Sequence, residues 1–242
     1  MRRRTTPAEP PPLRANTALF LDADGTLLDI APTPDAVTIP DGLIETLRRL
    51  KRALGGAVAV VSGRRRAELR HFFRGAGIAH VAEHGAAASV ALPGLAALHE
   101  KRVPPALTAA LRRFADGHPG TLLEIKHHGA ALHVRRAPGA TADARRLALS
   151  LAAAYRKRVR LLQAKSVFEF VAHGISKGHA IDALLQQPPF RGRVPYVIGD
   201  DVTDEDGFAV ANRLRGTSLR VGARRASTAA RFTIASADDV RR

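Results

Sequence analysis

The sequence predicts an α/β protein: a mostly parallel sheet covered by helices on both faces, with a smaller α+β unit inserted into it. Three observations point there. Short apolar runs alternate with segments of helical periodicity at both ends of the chain. Each run breaks off into polar residues, at the place where open α/β sheets gather their ligands. The middle of the chain changes pattern, to apolar runs separated by turn residues. The 242 residues, 45% hydrophobic and 25% charged, fill one large domain or two modest ones and support a real core. With aromatics at 5% and no Trp, aliphatic side chains must do most of the packing. No Cys is present, which excludes disulfides, thiol catalysis and Cys-ligated metals.

In chain order, residues 1–16 are basic and Pro-rich and predict a disordered lead-in. Arg2, Arg3 and Arg4 are followed by TTPAEPPP instead of an apolar stretch, so no secretory signal is read. The run at 17–21 reads as a buried strand. Leu43, Leu47, Leu50 and Leu54 recur at helical spacing behind Asp41, a candidate N-cap, and Gly55-Gly56 closes that helix. A strand follows at 57–61, an Arg-rich helix to about 74, and a strand at 78–82. The pattern resumes with a helix over 176–185, a strand at 194–198, a helix near 203–214 and a strand at 219–221. Between them, 122–128 and 131–136 read as two strands turning at Gly129, followed by a helix over 141–157 and strands at 159–162 and 167–171. The α+β insert is placed at 88–175, leaving 17–87 and 176–242 as the core. The most apolar late stretch, 147–155, is far shorter than the ~20 residues of a membrane helix. A soluble, cytoplasmic protein is expected.

The formal charge of +16 raises the possibility of a nucleic-acid partner. Thirty-two of the 38 basic residues are Arg, however, spread along the whole chain beside abundant Ala. That spread reads as compositional bias more than as a binding footprint.

Four motifs fall at element junctions. Asp22-Ala23-Asp24-Gly25-Thr26 follows the first strand: two close carboxylates suit a hard cation, or a division of labour between nucleophile and proton carrier. The same letters also suit a polar turn. In Gly199-Asp200-Asp201-Val202-Thr203-Asp204-Glu205-Asp206, Thr203 as N-cap accounts for the acids after it. Asp200-Asp201 precede that cap, where like charges repel unless a cation lies between them. Ser62-Gly63-Arg64 offers a hydroxyl and backbone N–H groups for a phosphate, or an ordinary N-cap. Lys177, in Ser176-Lys177-Gly178, opens a helix against its dipole, which suits either a solvent-facing side chain or a phosphate contact.

Taken together and in this order, DADGT, VSGR, SKG and GDDVTDED resemble the haloacid-dehalogenase-like (HAD) hydrolase superfamily. More narrowly, LFLDADGTLLDIAPTPD, AEHGA, LEIKHHGAALHVRRAP, SVFEFVAHGISKG and YVIGDDVTDEDGFAVANRL resemble the trehalose-6-phosphate phosphatase family over about residues 17–222. The resemblance implies a Rossmann-like core with an inserted cap, and Mg²⁺-dependent phosphatase activity through an aspartyl-phosphate. It implies Asp22 as nucleophile and Asp24 as general acid/base. Asp22, Asp24 (through its carbonyl) and Asp200 would hold the metal, supported by Asp201 and Asp204. Ser62 and Lys177 would hold phosphate oxygens, and Gly63, Arg64 and His84 would also bind the substrate. Glu124, Lys126, His133, Arg135 and Glu169 would read the sugar. A monomer acting on a small sugar phosphate, with no nucleic acid or membrane, is the corresponding expectation.

The chain departs from the family pattern at Ala23, at His127-His128 and at Phe170-Val171-Ala172, and it ends soon after Asp239-Val240. The second and third departures bear on sugar preference. The alternatives are a phosphatase for sucrose phosphate or mannosyl-3-phosphoglycerate and, from another class, a basic nucleic-acid-binding module. His127, His128 and His133 make a poor zinc site, because adjacent strand residues face opposite sides.

Overall fold

A computed structural model of the chain describes residues 9–31, 36–89, 101–164, 166–223 and 227–242. The first eight residues of the expected lead-in lie outside them. The run TALFL forms β1 (Thr17–Leu21), buried at every position. α1 (Leu43–Ala53) turns Leu43 and Leu47 inward. Its N-cap is Gly42, at φ 74° and with no side-chain cap bond, so Asp41 lies one residue outside the helix and does not cap it. β2 (Val58–Val61) is again buried throughout. α2 (Arg66–Phe72) is entered through Arg65, which rules out Ser62 as its cap and leaves Ser62 in the preceding loop. β3 (Ala79–Ala82) leads through a 3₁₀ turn, Glu83–Gly85, into the two-residue β4 (Ala87–Ala88).

The chain then builds α3 (Pro105–Gly117), β5 (Leu122–Ile125), β6 (Gly129–His133), α4 (Thr141–Ala154), β7 (Val159–Ala164) and β8 (Val167–Ala172). It returns with α5 (Lys177–Leu185), β9 (Val194–Gly199), a 3₁₀ turn Val202–Asp204, α6 (Glu205–Arg213), β10 (Thr217–Val221), β11 (Phe232–Ile234) and α7 (Ala237–Arg241).

The chain divides into two compact units, one formed by the flanks and one by Ala96–Ile175. In the first, seven strands lie in the order β11-β10-β9-β1-β2-β3-β4. All pairs are parallel except β3 with β4. From β1 the chain winds outward through β2 and β3; from β9 it winds the other way through β10 and β11. The order therefore reverses between β1 and β9, the switch point where α/β sheets open a crevice beyond their carboxyl ends. The register pairs Leu21 with both Val60 and Ile198, so the loops after β1, β2 and β9 leave at one level. On one face Leu19, Leu21, Val58 and Val60 pack with Leu43, Leu47, Leu69 and Phe72.

The second unit has an antiparallel sheet, β5-β6-β8-β7. Leu132, Phe168 and Phe170 pack on one face with Leu107 and Leu111 of α3 and Ala144 and Ala148 of α4. α3 is not among the elements expected from the sequence; it opens at Pro104-Pro105, and Pro suits the first helical turn. The turn expected at Gly129 falls at 126–128 instead, and Gly129 opens β6 opposite Val171. Thr203 does not cap α6. Asp201 accepts from Val202 N at 2.7 Å, capping the 3₁₀ turn, and α6 begins two residues beyond Thr203.

Candidate active site

The site starts from a backbone constraint. β1 ends in apolar Leu21, and Asp22 N still donates to Ile198 O of β9 at 2.9 Å, so its carboxylate is held at the sheet edge. Gly25 turns the chain back at φ 77°. A Cβ there would lie 2.4 Å from Asp200 Oδ2, so any other residue would be strained at this φ and would push the Asp200 carboxylate aside.

From the other strand, Asp200 and Asp204 arrive at the same point. One oxygen each from Asp22, Asp200 and Asp204 lies within 4.8 Å of the others. Lys177, in the first turn of α5, lies between two of these acids. Its Nζ donates to Asp22 Oδ1 at 2.6 Å and to Asp204 Oδ1 at 2.7 Å. Asp204 Oδ2 accepts from Asp201 N at 3.0 Å, which fixes its orientation. The side chains of Lys177, Asp22 and Asp204 are 4%, 7% and 3% exposed, so these charges interact with little screening by water.

Burial pushes the Asp22 carboxyl well above the usual carboxylate range against the pull of Lys177, and the Asp204 and Asp200 charges push the same way. Asp200 is pushed up to about 6, by burial first and then by Asp204 and Asp201, with Lys177 opposing. For Lys177, burial works against the charge, but Asp204 and Asp22 more than offset it and hold the ammonium above its ordinary value. One cation among three carboxylates leaves the cluster short of positive charge. Asp200 Oδ1 is buried with no hydrogen-bond partner among the described residues. A bare buried carboxylate oxygen is costly, and all-oxygen donors of this kind suit a hard divalent cation such as Mg²⁺. The residues fit the group.

The other expected residues occupy two places. Ser62, buried after β2, accepts from Arg64 N at 3.3 Å. Its carbonyl takes His84 N at 2.9 Å, while Arg64 O takes Glu83 N at 3.0 Å, lacing the loops after β2 and β3 together. The buried His84 ring lies against Gly63. The Asp24 carboxylate does not join the three-acid cluster; Arg64 holds both its oxygens at 2.7 Å. Asp201 likewise spends an oxygen on its cap.

In the second unit, Lys126 pairs with Glu169 at 2.7 Å and His133 with Glu124 at 3.1 Å. Glu124 and Glu169 both oppose Ala131 in register, which puts them on one face of the sheet. Arg135 lies just past β6 and is exposed. His128 Nδ1 bonds Lys101 O at 2.7 Å.

Two residues were missed from sequence. Glu68 grips Arg64 at 2.9 Å. The buried Arg220 of β10 donates to the Asp200 carbonyl. A lone Arg inside the apolar strand TSLRV was the available signal for the second.

A parallel sheet with a carboxylate-and-lysine edge at its switch point defines a hydrolase of the HAD-like class. The C-terminal domain of C. albicans trehalose-6-phosphate phosphatase superposes with a TM-score of 0.79 at 20% identity, over 94% of this chain and 90% of that one. A haloacid dehalogenase-like hydrolase from Bacteroides thetaiotaomicron superposes at 0.65 and 15% identity, over 93% and 96%. In sequence, the trehalose-phosphatase family model matches residues 20–238. The trehalose-6-phosphate phosphatase of Escherichia coli (strain K12) is 39% identical over 241 residues, 96% of this chain and 86% of that protein. A probable trehalose-phosphate phosphatase of Sinorhizobium fredii is 38% identical over 228 residues, 93% and 85% of the two chains. The chain belongs to the trehalose-phosphatase family and is a phosphoric monoester hydrolase.

Proposed function

We propose that the protein hydrolyses trehalose 6-phosphate to trehalose and phosphate, with Mg²⁺ and through a phosphoryl group carried on Asp22. The observation that carries the chemistry is the meeting of Asp22, Lys177, Asp200 and Asp204 at the switch point. Family membership supplies the substrate.

In the first step an Asp22 carboxylate oxygen bonds to phosphorus while the bond from phosphorus to the sugar oxygen breaks. Asp24 gives a proton to the departing sugar oxygen. In the second, Asp24 takes a proton from water as that water attacks the same phosphorus, releasing phosphate and restoring Asp22. Lys177 and Ser62 hold the equatorial oxygens, where the transferring group spreads its charge. Asp22, Asp200 and the Asp24 carbonyl, supported by Asp201 and Asp204, would hold Mg²⁺, which supplies positive charge to the transferring phosphoryl group. The second unit reads the sugar through Glu124, Lys126, His133, Arg135 and Glu169, whose carboxylates and N–H groups match hydroxyls as acceptors and donors.

The test is phosphate release across trehalose 6-phosphate, sucrose phosphate, mannosyl-3-phosphoglycerate and monosaccharide phosphates, with Mg²⁺ and with chelator. Preference for trehalose 6-phosphate, lost reversibly in chelator and abolished in a folded Asp22→Asn variant, is expected. Equal rates on mono- and disaccharide phosphates would remove the narrow substrate, and an active Asp22→Asn would remove the phosphoryl carrier.

A further inference from the structure

We infer that Arg64 is a positioning residue for Asp24, set in place by helix α2 through Glu68, and does not bind the substrate's phosphate. The inference rests on the reading of Asp24 as proton carrier. Arg64 leaves the loop after β2 and lays two arms on a single carboxylate: Nε donates to Asp24 Oδ2 and Nη2 to Asp24 Oδ1, each at 2.7 Å. Two parallel bonds fix the plane of the carboxylate as well as its distance, which a point charge cannot do. The third arm, Nη1, donates to Glu68 Oε1 at 2.9 Å. The Phe72 ring centroid lies 4.8 Å from Arg64 Cζ.

Glu68 is itself held. Its Oε2 accepts from Arg65 N at 3.0 Å, in the capping box that opens α2. Order is therefore handed from the first turn of α2 to Glu68, from Glu68 to the guanidinium, and from the guanidinium to Asp24. An arginine meant for phosphate would keep its fork open, whereas Arg64 has committed Nε and both terminal nitrogens to protein carboxylates. Its side chain is 9% exposed, against 38% for Asp24. Asp24 stands in a turn beside Gly25, and a half-exposed carboxylate there would otherwise sample several rotamers. A proton carrier that wanders fails at transfer even when everything else is bound.

The experiment separates positioning from substrate binding by leaving group. Steady-state kcat and KM are measured on trehalose 6-phosphate and on an aryl phosphate whose phenolate leaves without a proton, with the single-turnover release of phenolate beside them, for wild type, Arg64→Ala, Arg64→Lys and Glu68→Gln. For Arg64→Ala, kcat on the sugar phosphate is expected to fall about 100-fold, the scale of a 1 Å misplacement. KM should hold, and so should the single-turnover release of phenolate, which reports only the step that needs no proton from Asp24; steady-state aryl phosphate turnover falls with the shared second step. Arg64→Lys, which keeps the charge and loses the fork, should stay impaired. Glu68→Gln should move kcat the same way by less, and it supplies the reading if circular dichroism finds Arg64→Ala unfolded.

A raised KM on both substrates with kcat unchanged would make Arg64 a phosphate ligand and overturn the proposal. A loss in the single-turnover release of phenolate as large as the loss on the sugar phosphate, or full rescue by Lys, would overturn it as well. Asp24→Ala is the control on the underlying reading. If that variant keeps sugar phosphate turnover, the proton-carrier role fails, independently of what Arg64 does.

Discussion

Replacing Asp200 by Asn should stabilise the metal-free protein and disable it. The Asp200 carboxyl is pushed to about 6 from an ordinary 3.8. A carboxyl raised on folding keeps its proton in the native chain where the unfolded chain has lost it, so stability falls as pH climbs between the two values. At 1.36 kcal/mol per pH unit, the shift amounts to on the order of 3 kcal/mol once the pH exceeds the folded value. Asn keeps the shape without the charge. In chelator, urea unfolding should give equal stabilities near pH 4 and an advantage for Asp200→Asn of roughly 2–3 kcal/mol near pH 7.5. Mg²⁺ should close the gap at a hundredfold excess over Kd, where an ion bound only by the native state adds about 2.7 kcal/mol, and reverse the order at a thousandfold excess, where it adds about 4.1 kcal/mol, because the variant has lost one anionic ligand. A pH-independent difference, or a wild type more stable than the variant near pH 7.5 in chelator, would refute the account of an overcrowded acidic cluster.

Lys177→Met breaks two buried ion pairs at once, at 2.6 and 2.7 Å. Removing one partner of such a pair costs about 3–5 kcal/mol, so the urea midpoint should drop and turnover vanish; an unmoved midpoint would contradict the burial argument. In Gly199→Ala the new Cβ would lie 2.1 Å from Asp204 Cγ, forcing Asp204 off Lys177. Weaker Mg²⁺ binding by calorimetry and slower turnover are expected, and wild-type behaviour would mean the loop yields without cost. Glu169→Ala deprives Lys126 of its 2.7 Å partner. The ratio of kcat/KM on trehalose 6-phosphate to that on a monosaccharide phosphate should fall, and an unchanged ratio removes Glu169 from sugar reading.

What was legible in the sequence follows from which physical signals are local. Buried parallel strands must be apolar on both faces, so 17–21 and 57–61 announce themselves, and the polar residue that ends each run marks the sheet's carboxyl edge. Helix starts are another matter. Asp41 looks like a cap because Asp can cap, but the choice between Asp41 and Gly42 is a difference in backbone dihedrals with little trace in composition. The same holds at Thr203, where an inserted 3₁₀ turn hands the cap to Asp201. α3 hid behind its prolines, since the residues that favour a first helical turn are those that break one elsewhere.

The site divides in the same way. That Asp22, Asp200 and Asp204 share one edge follows from strand order, and strand order is what alternating elements encode. Which acid meets which partner is decided by side-chain reach across loops that sequence spacing does not constrain. Asp22 and Asp24 read as a twin pair, yet one lies buried against Lys177 and the other stands half-exposed in the fork of Arg64. The two environments pull two chemically identical carboxyls toward different work. The buried one is crowded by acids, which suits the phosphoryl carrier of the proposed mechanism; the other is tethered but open to water, as its proposed proton carrier would need to be. That difference in environment is set by Lys177 and Arg64, a hundred and more residues apart in the chain.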